Sequence, residues 1–193
     1  MATDGKQIQT VLGLIDREVW IITAAHGERR GGLTATWVLP PSIDSERPQL
    51  LIGIAPEHAT AKLIQASGAF VAHLLTSQQS AVAFHFGSSS SRDGDKFAGV
   101  KTTKTDDGGL ILGDCLAWCD CRVFAHYSTG DRLLFWADVV AAEHGNRQEH
   151  PLRERAFMNS LLPEQRQLLG RLRRADASSQ RPPHEQWRQS FGF

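Results

Sequence analysis

Scarcity narrows the class of this chain before any motif is read. Its 193 residues include only three cysteines, and Cys115, Cys119 and Cys121 all fall within seven positions. An odd count in one short cluster makes no disulfide framework. Zinc wants four ligands, and no further Cys or His pair follows at a suitable spacing. The segment CLAWCDCRVFAHY reads instead as a strand, with residues 119 and 121 on one face as small core thiols. An excess of charge of one sign is also missing. Lys plus Arg and Asp plus Glu number 21 each, so the formal net charge is zero. A chain whose main partner is nucleic acid needs a basic field to meet phosphates, and none is expected here. The longest apolar runs, such as 49–55 and 133–140, fall far short of a membrane span. The opening MATDGKQIQT has no apolar centre to act as a secretory signal, so the chain reads as cytoplasmic.

Hydrolytic and nucleotide-loop motifs are absent too. No Ser sits in a Gly-x-Ser-x-Gly elbow, and no His-Glu-x-x-His occurs. The eight histidines are scattered. Asp106-Asp107 and Asp93-x-Asp95 read as turn residues rather than paired catalytic carboxylates. Neither a Walker loop nor Gly-x-Gly-x-x-Gly follows a strand, so any nucleotide-like cofactor must be held by other means.

The pattern of elements is mostly β. Apolar Ile8, Val11, Leu12, Leu14 and Ile15 predict a short helix within 7–19, leading into a strand over 19–24. After the glycine-punctuated turn at 26–32, 33–39 reads as a second strand. Residues 49–55 read as a third, apolar on both faces and therefore central. A helix spans 58–65 and stops at Ser67-Gly68. A strand over 69–75 precedes a second helix over 77–86, capped by Thr76 or Ser77. The polar loop 87–94 (GSSSSRDG) is a linker or a ligand-facing loop. Strands follow at 110–112, 117–127 and 133–143, the last two joined by a hairpin turn at Ser128-Thr129-Gly130-Asp131. Connections this short favour an antiparallel barrel over a doubly wound sheet.

Beyond Gly145 the composition changes. Residues 153–193 hold eight Arg, no Lys and four acidic residues. A solvated helix face explains that excess. Pro163 opens a helix with Leu168, Leu169 and Leu172 on one stripe. The proline-containing end, with Trp187, Phe191 and Phe193, reads as a disordered tail or as an arm packing on a neighbouring subunit. Its aromatics favour the arm. The expected division is a barrel domain over 1–150 and a C-terminal helix and arm over 151–193.

One stretch points to a ligand. Gly31-Gly32-Leu33-Thr34-Ala35-Thr36-Trp37 is a bed of small, hydroxyl-bearing residues ending in a large aromatic, against which a planar heteroaromatic ring can lie. The turn Pro56-Glu57-His58-Ala59-Thr60 opens a helix whose free N–H groups favour a phosphate on the same ligand. Lys96 adds a cation. The plainer readings are β-propensity for the threonines and a simple cap at the helix start.

The order GGLTATW, PSIDS, RPQLLIGIAPEHATAKLIQASGAFVAHLL, DKFAGV, LILGDCLAWCDCRV and STGDRLLFWADV resembles the flavin reductase-like family over about residues 15–145. The resemblance implies a mainly β fold, an antiparallel FMN-binding split β-barrel with short inserted helices and a C-terminal helical extension. It implies FMN as cofactor, its ring against Thr34, Ala35, Thr36 and Trp37, its ribityl chain near Ser42, and its phosphate at His58 and Thr60. The family's Asp/Lys-Lys/Arg-Phe motif falls on Asp95, Lys96 and Phe97, near the flavin.

Three departures stand out. The family's phosphate-gripping Ser is His58 here. The loop around Ser45 to Arg47 carries extra residues. The Gly-Asp-His motif of many nicotinamide-using members reads Gly130-Asp131-Arg132, and Arg132 is either a partner for a phosphate on NADPH or a surface residue of the hairpin. The implied function is a homodimeric NAD(P)H:flavin oxidoreductase that hands electrons to an acceptor, with a monooxygenase or redox protein as a partner. The alternative is an FMN electron carrier, flavoredoxin-like, that does not oxidise NADH or NADPH itself. A barrel that has lost flavin is opposed by the presence of Thr34, Thr36 and Thr60 together.

Overall fold

A computed structural model describes residues 5–89, 94–105, 109–145 and 148–192. Of the positions singled out above, Ser90, Ser91, Asp93, Asp106, Asp107 and Phe193 lie outside the described residues. The chain runs α1 (Gly5–Leu12), β1 (Trp20–His26), β2 (Arg29–Ala35), β3 (Val38–Leu39), β4 (Gln49–Ile54), α2 (Ala59–Ser67), β5 (Ala69–Leu74) and α3 (Ser80–Ser88). It continues with β6 (Thr102–Lys104), β7 (Leu110–Leu112), β8 (Ala117–Ser128), β9 (Leu133–His144), α4 (Glu154–Ser160) and α5 (Pro163–Gln189).

Seven strands form one antiparallel sheet in the order β2-β1-β5-β8-β9-β4-β3, and β6 pairs with β7 in a small second sheet. The large sheet curls into the half-barrel of a split-barrel fold. Alternation along the strands fills two cores. Ile22, Ala24, Phe70 and Ala72 point into the cluster inside the barrel with Ile52, Ile54, Phe135 and Ala137. Ile21 and Leu75 point the other way, against Phe86, Phe97, Leu152 and Phe157 under the helices. The period-2 pattern of β1 and β5 thus serves a core on each face. Cys119 and Cys121 both face the barrel core, and a register shift between Asp120 and Cys121 bends β8 there.

Several expectations change in the structure. α1 ends at Leu12 and buries no residue; the carbonyls of Gln9 and Thr10 crowd Gly13, where the chain leaves the helix. The strand over 33–39 breaks at Thr36-Trp37, because Trp37 turns its carbonyl to the Gly53 N–H (2.9 Å) while β2 stays on β1. β4 is not central: it lies next to the edge strand β3, and its burial alternates. α3 starts three residues late. Gln79 is its N-cap residue, and its side-chain carbonyl accepts the Thr76 N–H at 2.9 Å. α2 stops where expected, with Gly68 at φ 69° donating its N–H to the Ile64 carbonyl (2.8 Å). That conformation suits glycine.

The C-terminal segment packs on the barrel. Leu152 bridges the start of β1 and the end of β5 through Val19 N–H (2.8 Å) and the Leu75 carbonyl (2.9 Å). α4, not anticipated from the sequence, follows at once. The proline-containing end is no disordered tail: α5 continues through Pro182 and Pro183 to Gln189. Each proline removes one helical N–H, and the helix persists because its C-terminal half is held by the β8–β9 hairpin. No helix among the described residues is long and apolar enough to cross a membrane.

Candidate functional site

A groove of about 500 Å³ lies between the end of β2, the end of β4 and α5. Its floor is Thr34, Ala35, Thr36 and Trp37, joined by Gly53 to Ala55 from β4, His58 at the start of α2 and Gly87 of α3. The floor is fixed from behind. Thr34 donates its hydroxyl to the Ala83 carbonyl at 2.6 Å, tying β2 to α3. Trp37 lies against Gly53: a Cβ on that glycine would come within 2.8 Å of Trp37 Cε3. The absence of a side chain at Gly53 is therefore what lets the indole lie flat on β4.

α5 forms the roof. It turns Leu169, Leu172, Arg173, Asp176 and Ala177 into the groove, while Arg17, Glu154, Phe157 and Met158 close one end. Arg17 and Glu154 pair at 3.0 Å. His58 Nε2 lies 3.2 Å from Asp176 Oδ2, tethering the roof to the first turn of α2. His58 is the N-cap residue of α2 but makes no side-chain cap, so its ring is committed to α5.

Arg132 closes the other end. Its guanidinium stands 5.2 Å from the Trp37 ring centroid and donates to the Gln180 side-chain carbonyl and the Asp131 backbone carbonyl. Asp131 does not line the groove. Its carboxylate accepts the Thr129 hydroxyl at 3.0 Å and faces His184 Nδ1 at 3.0 Å.

The structure brings Thr34, Ala35, Thr36, Trp37, His58 and Arg132 onto one surface. It places the other candidates elsewhere. Thr60 is buried in the first turn of α2 and does not line the groove. Ser42 accepts the Asp44 N–H at 3.1 Å in the loop before β4. Lys96, expected beside the ligand, is buried. Its Nζ donates to the Gly32 and Phe86 carbonyls at 2.9 Å each, locking β2 to α3 beneath the groove. Phe97 packs in the helix-side core, edge-on to Phe86 at 5.5 Å. Asp95 accepts from Arg30 and from the Phe97 N–H, and the Arg30 hydrogen bond, first among its causes, holds its carboxyl below the usual range. The Asp95-Lys96-Phe97 motif therefore braces the floor.

Residues 12–160 match the family model described as a flavin reductase like domain. The chain belongs to the flavin reductase-like family. Among curated relatives, "Diflavin flavoprotein A 1" of Synechocystis sp. (strain ATCC 27184 / PCC 6803 / Kazusa) is 30% identical over 134 residues, 69% of this chain and 23% of the relative. The chain thus spans about a quarter of the length of the curated relatives it matches. Among solved structures, a homologue of nitrilotriacetate monooxygenase component B from Mycobacterium thermoresistibile superposes with a TM-score of 0.69 at 29% identity, covering 78% of this chain and 82% of that one. The NADH:FAD oxidoreductase of Streptomyces globisporus C-1027 gives 0.69 at 21% identity, covering 79% and 90%, a likeness of fold.

The groove of this flavin reductase-like chain has the size and lining that a planar ring system needs. Its volume lies within the ~300–1,000 Å³ range of small-molecule sites. Its floor is flat, small-residued and backed by a glycine that a Cβ would fill. The roof residues were missed from sequence because their groove-facing phase on α5 depends on where that helix docks. The Leu169–Leu172 stripe was the available signal.

Proposed function

We propose that the chain is an FMN-binding oxidoreductase of the flavin reductase type, taking hydride from NADH or NADPH and passing electrons to an acceptor. The observation that carries this reading is the flat floor Thr34–Trp37 facing a groove roofed by α5. A bound flavin supplies the two-electron chemistry when present. The chain's own residues bind, orient and exclude water. Thr34 to Thr36 offer backbone groups along one ring edge, and Trp37 and Arg132 border the open side. Leu169, Leu172, Phe157 and Met158 dry the other side. The first-turn N–H groups of α2 would receive an anion bound beside His58. No side chain need act as acid or base. FMN rather than FAD, a homodimer, and a partner monooxygenase or redox protein belong to the same proposal, as does the division at residue 150.

A second reading has an observation of its own. Arg132 stands where nicotinamide-using relatives carry His, and α5 engages it through Gln180. That engagement favours an FMN electron carrier that accepts electrons from a protein.

The visible spectrum of the purified protein, followed anaerobically after NADH and then NADPH, separates these readings. A flavin spectrum that bleaches quickly with one donor supports the reductase. One that stays oxidised with both moves the assignment to the carrier. A colourless protein that takes up no added FMN refutes the flavin site.

A further inference from the structure

The two halves of α5 are held to the barrel differently. The first half is anchored by apolar packing: Leu161, just ahead of it, is buried in the helix-side core, and Leu169 packs against that core. Beyond Ala177 the contacts are chiefly polar and gather on the β8–β9 turn. His184 Nδ1 lies 3.0 Å from both Asp131 Oδ1 and the Thr129 carbonyl. Trp187 Nε1 donates to the Tyr127 hydroxyl at 3.2 Å, and Gln180 accepts from Arg132. The His184–Asp131 pair is partly exposed, and exposed pairs of this kind contribute little to stability.

Gln180 is the one residue of α5 that is buried among the described residues. Arg132 takes its side-chain carbonyl, while its Nε2 is buried with no hydrogen-bond partner among the described residues. Arg132 also fixes which way the amide faces. Turned over, Nε2 would meet the guanidinium, donor against donor. The docked helix therefore leaves a buried donor unsatisfied, which counts against the docked state. The helix is weakened at the same place. Pro182 and Pro183 have no N–H, so the carbonyls of Ser178 and Ser179 lose their helical donors. Sharp bends in helices occur at such breaks. All of this lies beyond residues 12–160, the part that matches the family model.

We propose that residues 180–189 are a latch that pivots across 178–183, and that its release frees Arg132 from its place over Trp37 and opens that end of the groove to a ligand. In the latched state Gln180 holds the guanidinium over the Trp37 ring. Once Gln180 leaves, the polar contacts described for Arg132 are with Asp131, in its own turn. Leu169 to Ala177 remain as the roof, on the other side of the break. The latch stands on α5 and the hairpin alone; its gating of a ligand rests on the flavin reading above.

The test compares the full-length wild type with Gln180→Ala, Gln180→Glu and the exposed Gln186→Ala. Hydrogen–deuterium exchange over 184–189 is read on the flavin-free protein. FMN association and dissociation are followed by stopped-flow flavin fluorescence. Q180A removes the acceptor for Arg132, so exchange over 184–189 and both FMN rates should rise by about three-fold or more. Q180E keeps the shape, gives Arg132 a charged acceptor and removes the unsatisfied donor, so all three should fall. A gate acts on entry and exit alike, so the FMN Kd should stay within about two-fold of wild type in both variants. Q186A should match wild type throughout. Exchange over 184–189 that is unchanged in Q180A and Q180E overturns the latch. Exchange that responds while both FMN rates stay constant, or while one rate changes alone, overturns the gating. A wild type that takes up no FMN refutes the flavin reading and the gating with it, and the exchange measurement still decides the latch.

Discussion

Lowering the pH through the range 7 to 5 should destabilise this barrel from the inside, at His73. This residue is fully buried on β5. Its Nε2 accepts the Leu112 N–H at 3.1 Å, so its proton sits on Nδ1, which donates to the Ile21 carbonyl at 3.0 Å. The ring is therefore a neutral cross-link between β1, β5 and β7. A second proton would go on Nε2, which already faces the Leu112 N–H donor. Desolvation lowers the pKa from 6.5 to about 4, and the backbone hydrogen bonds to Ile21 and Leu110 oppose it only in part. The unfolded chain thus binds this proton more readily than the native one does. The His73 contribution is fully present above the unfolded pKa of about 6.5 and is lost as pH falls toward about 4. The full linkage is about 3 kcal/mol, and about 2 kcal/mol of it goes between about pH 7 and pH 5. That is a large share of a typical domain stability of roughly 5–15 kcal/mol. Urea unfolding at a series of pH values measures it, with His73→Gln as control. The variant is expected to be less stable at neutral pH and to lack this part of the pH slope. Wild-type stability that is level from pH 7 to 5, or a variant that falls as steeply, would refute the reasoning.

Three further outcomes follow from local geometry. Gly53→Ala forces a Cβ to within 2.8 Å of Trp37 Cε3, so it should cost roughly 1–3 kcal/mol and weaken flavin uptake, read by Tm and by fluorescence titration. Gly130→Ala drives a Cβ into the Pro183 carbonyl at a φ of 82°, so the C-terminal half of α5 should leave the hairpin. Trypsin should then cut after Arg188 much faster than in wild type while the barrel melts within a few degrees of it, and unchanged cleavage would count against the docking. Burial pushes the Cys115 thiol up to about 11 and raises Cys119 and Cys121 as well, so all three should resist a disulfide reagent such as DTNB at pH 8 until denaturant is added.

The parts of the fold legible in the sequence were those set by short-range pattern. Period-2 runs located β5, β8 and β9, and Ser67-Gly68 marked the end of α2 because its left-handed turn is a local need. The position of β4 was not legible. Both faces of its apolar run suggested a central strand, but one side is taken by Trp37 and the edge strand β3, a long-range fact. The groove-lining stretch from Thr34 to Trp37 was legible because small residues on a strand announce a flat surface. Lys96 was misplaced for the opposite reason. A lysine suggests a ligand anion, yet here two backbone carbonyls at 2.9 Å receive its charge beneath the sheet. The helical end of the chain was illegible because Pro182 and Pro183 argue against a helix on propensity alone.

That override has a specific seat. Gly130 carries a positive φ for the β8–β9 turn, and its missing side chain is also what admits the Pro183 carbonyl. Asp131 and Thr129 then meet His184, Tyr127 receives the Trp187 N–H at 3.2 Å, and Arg132 reaches Gln180 while covering Trp37. Every residue of the Gly130-Asp131-Arg132 motif is thus engaged by α5. A histidine at 132 would have no guanidinium with which to lie over Trp37 and bind Gln180 at once. Arg132 thus ties the β8–β9 turn to the roof over the groove. Within the described residues, the Arg132 end of the groove is shaped by the C-terminal helix as much as by the barrel.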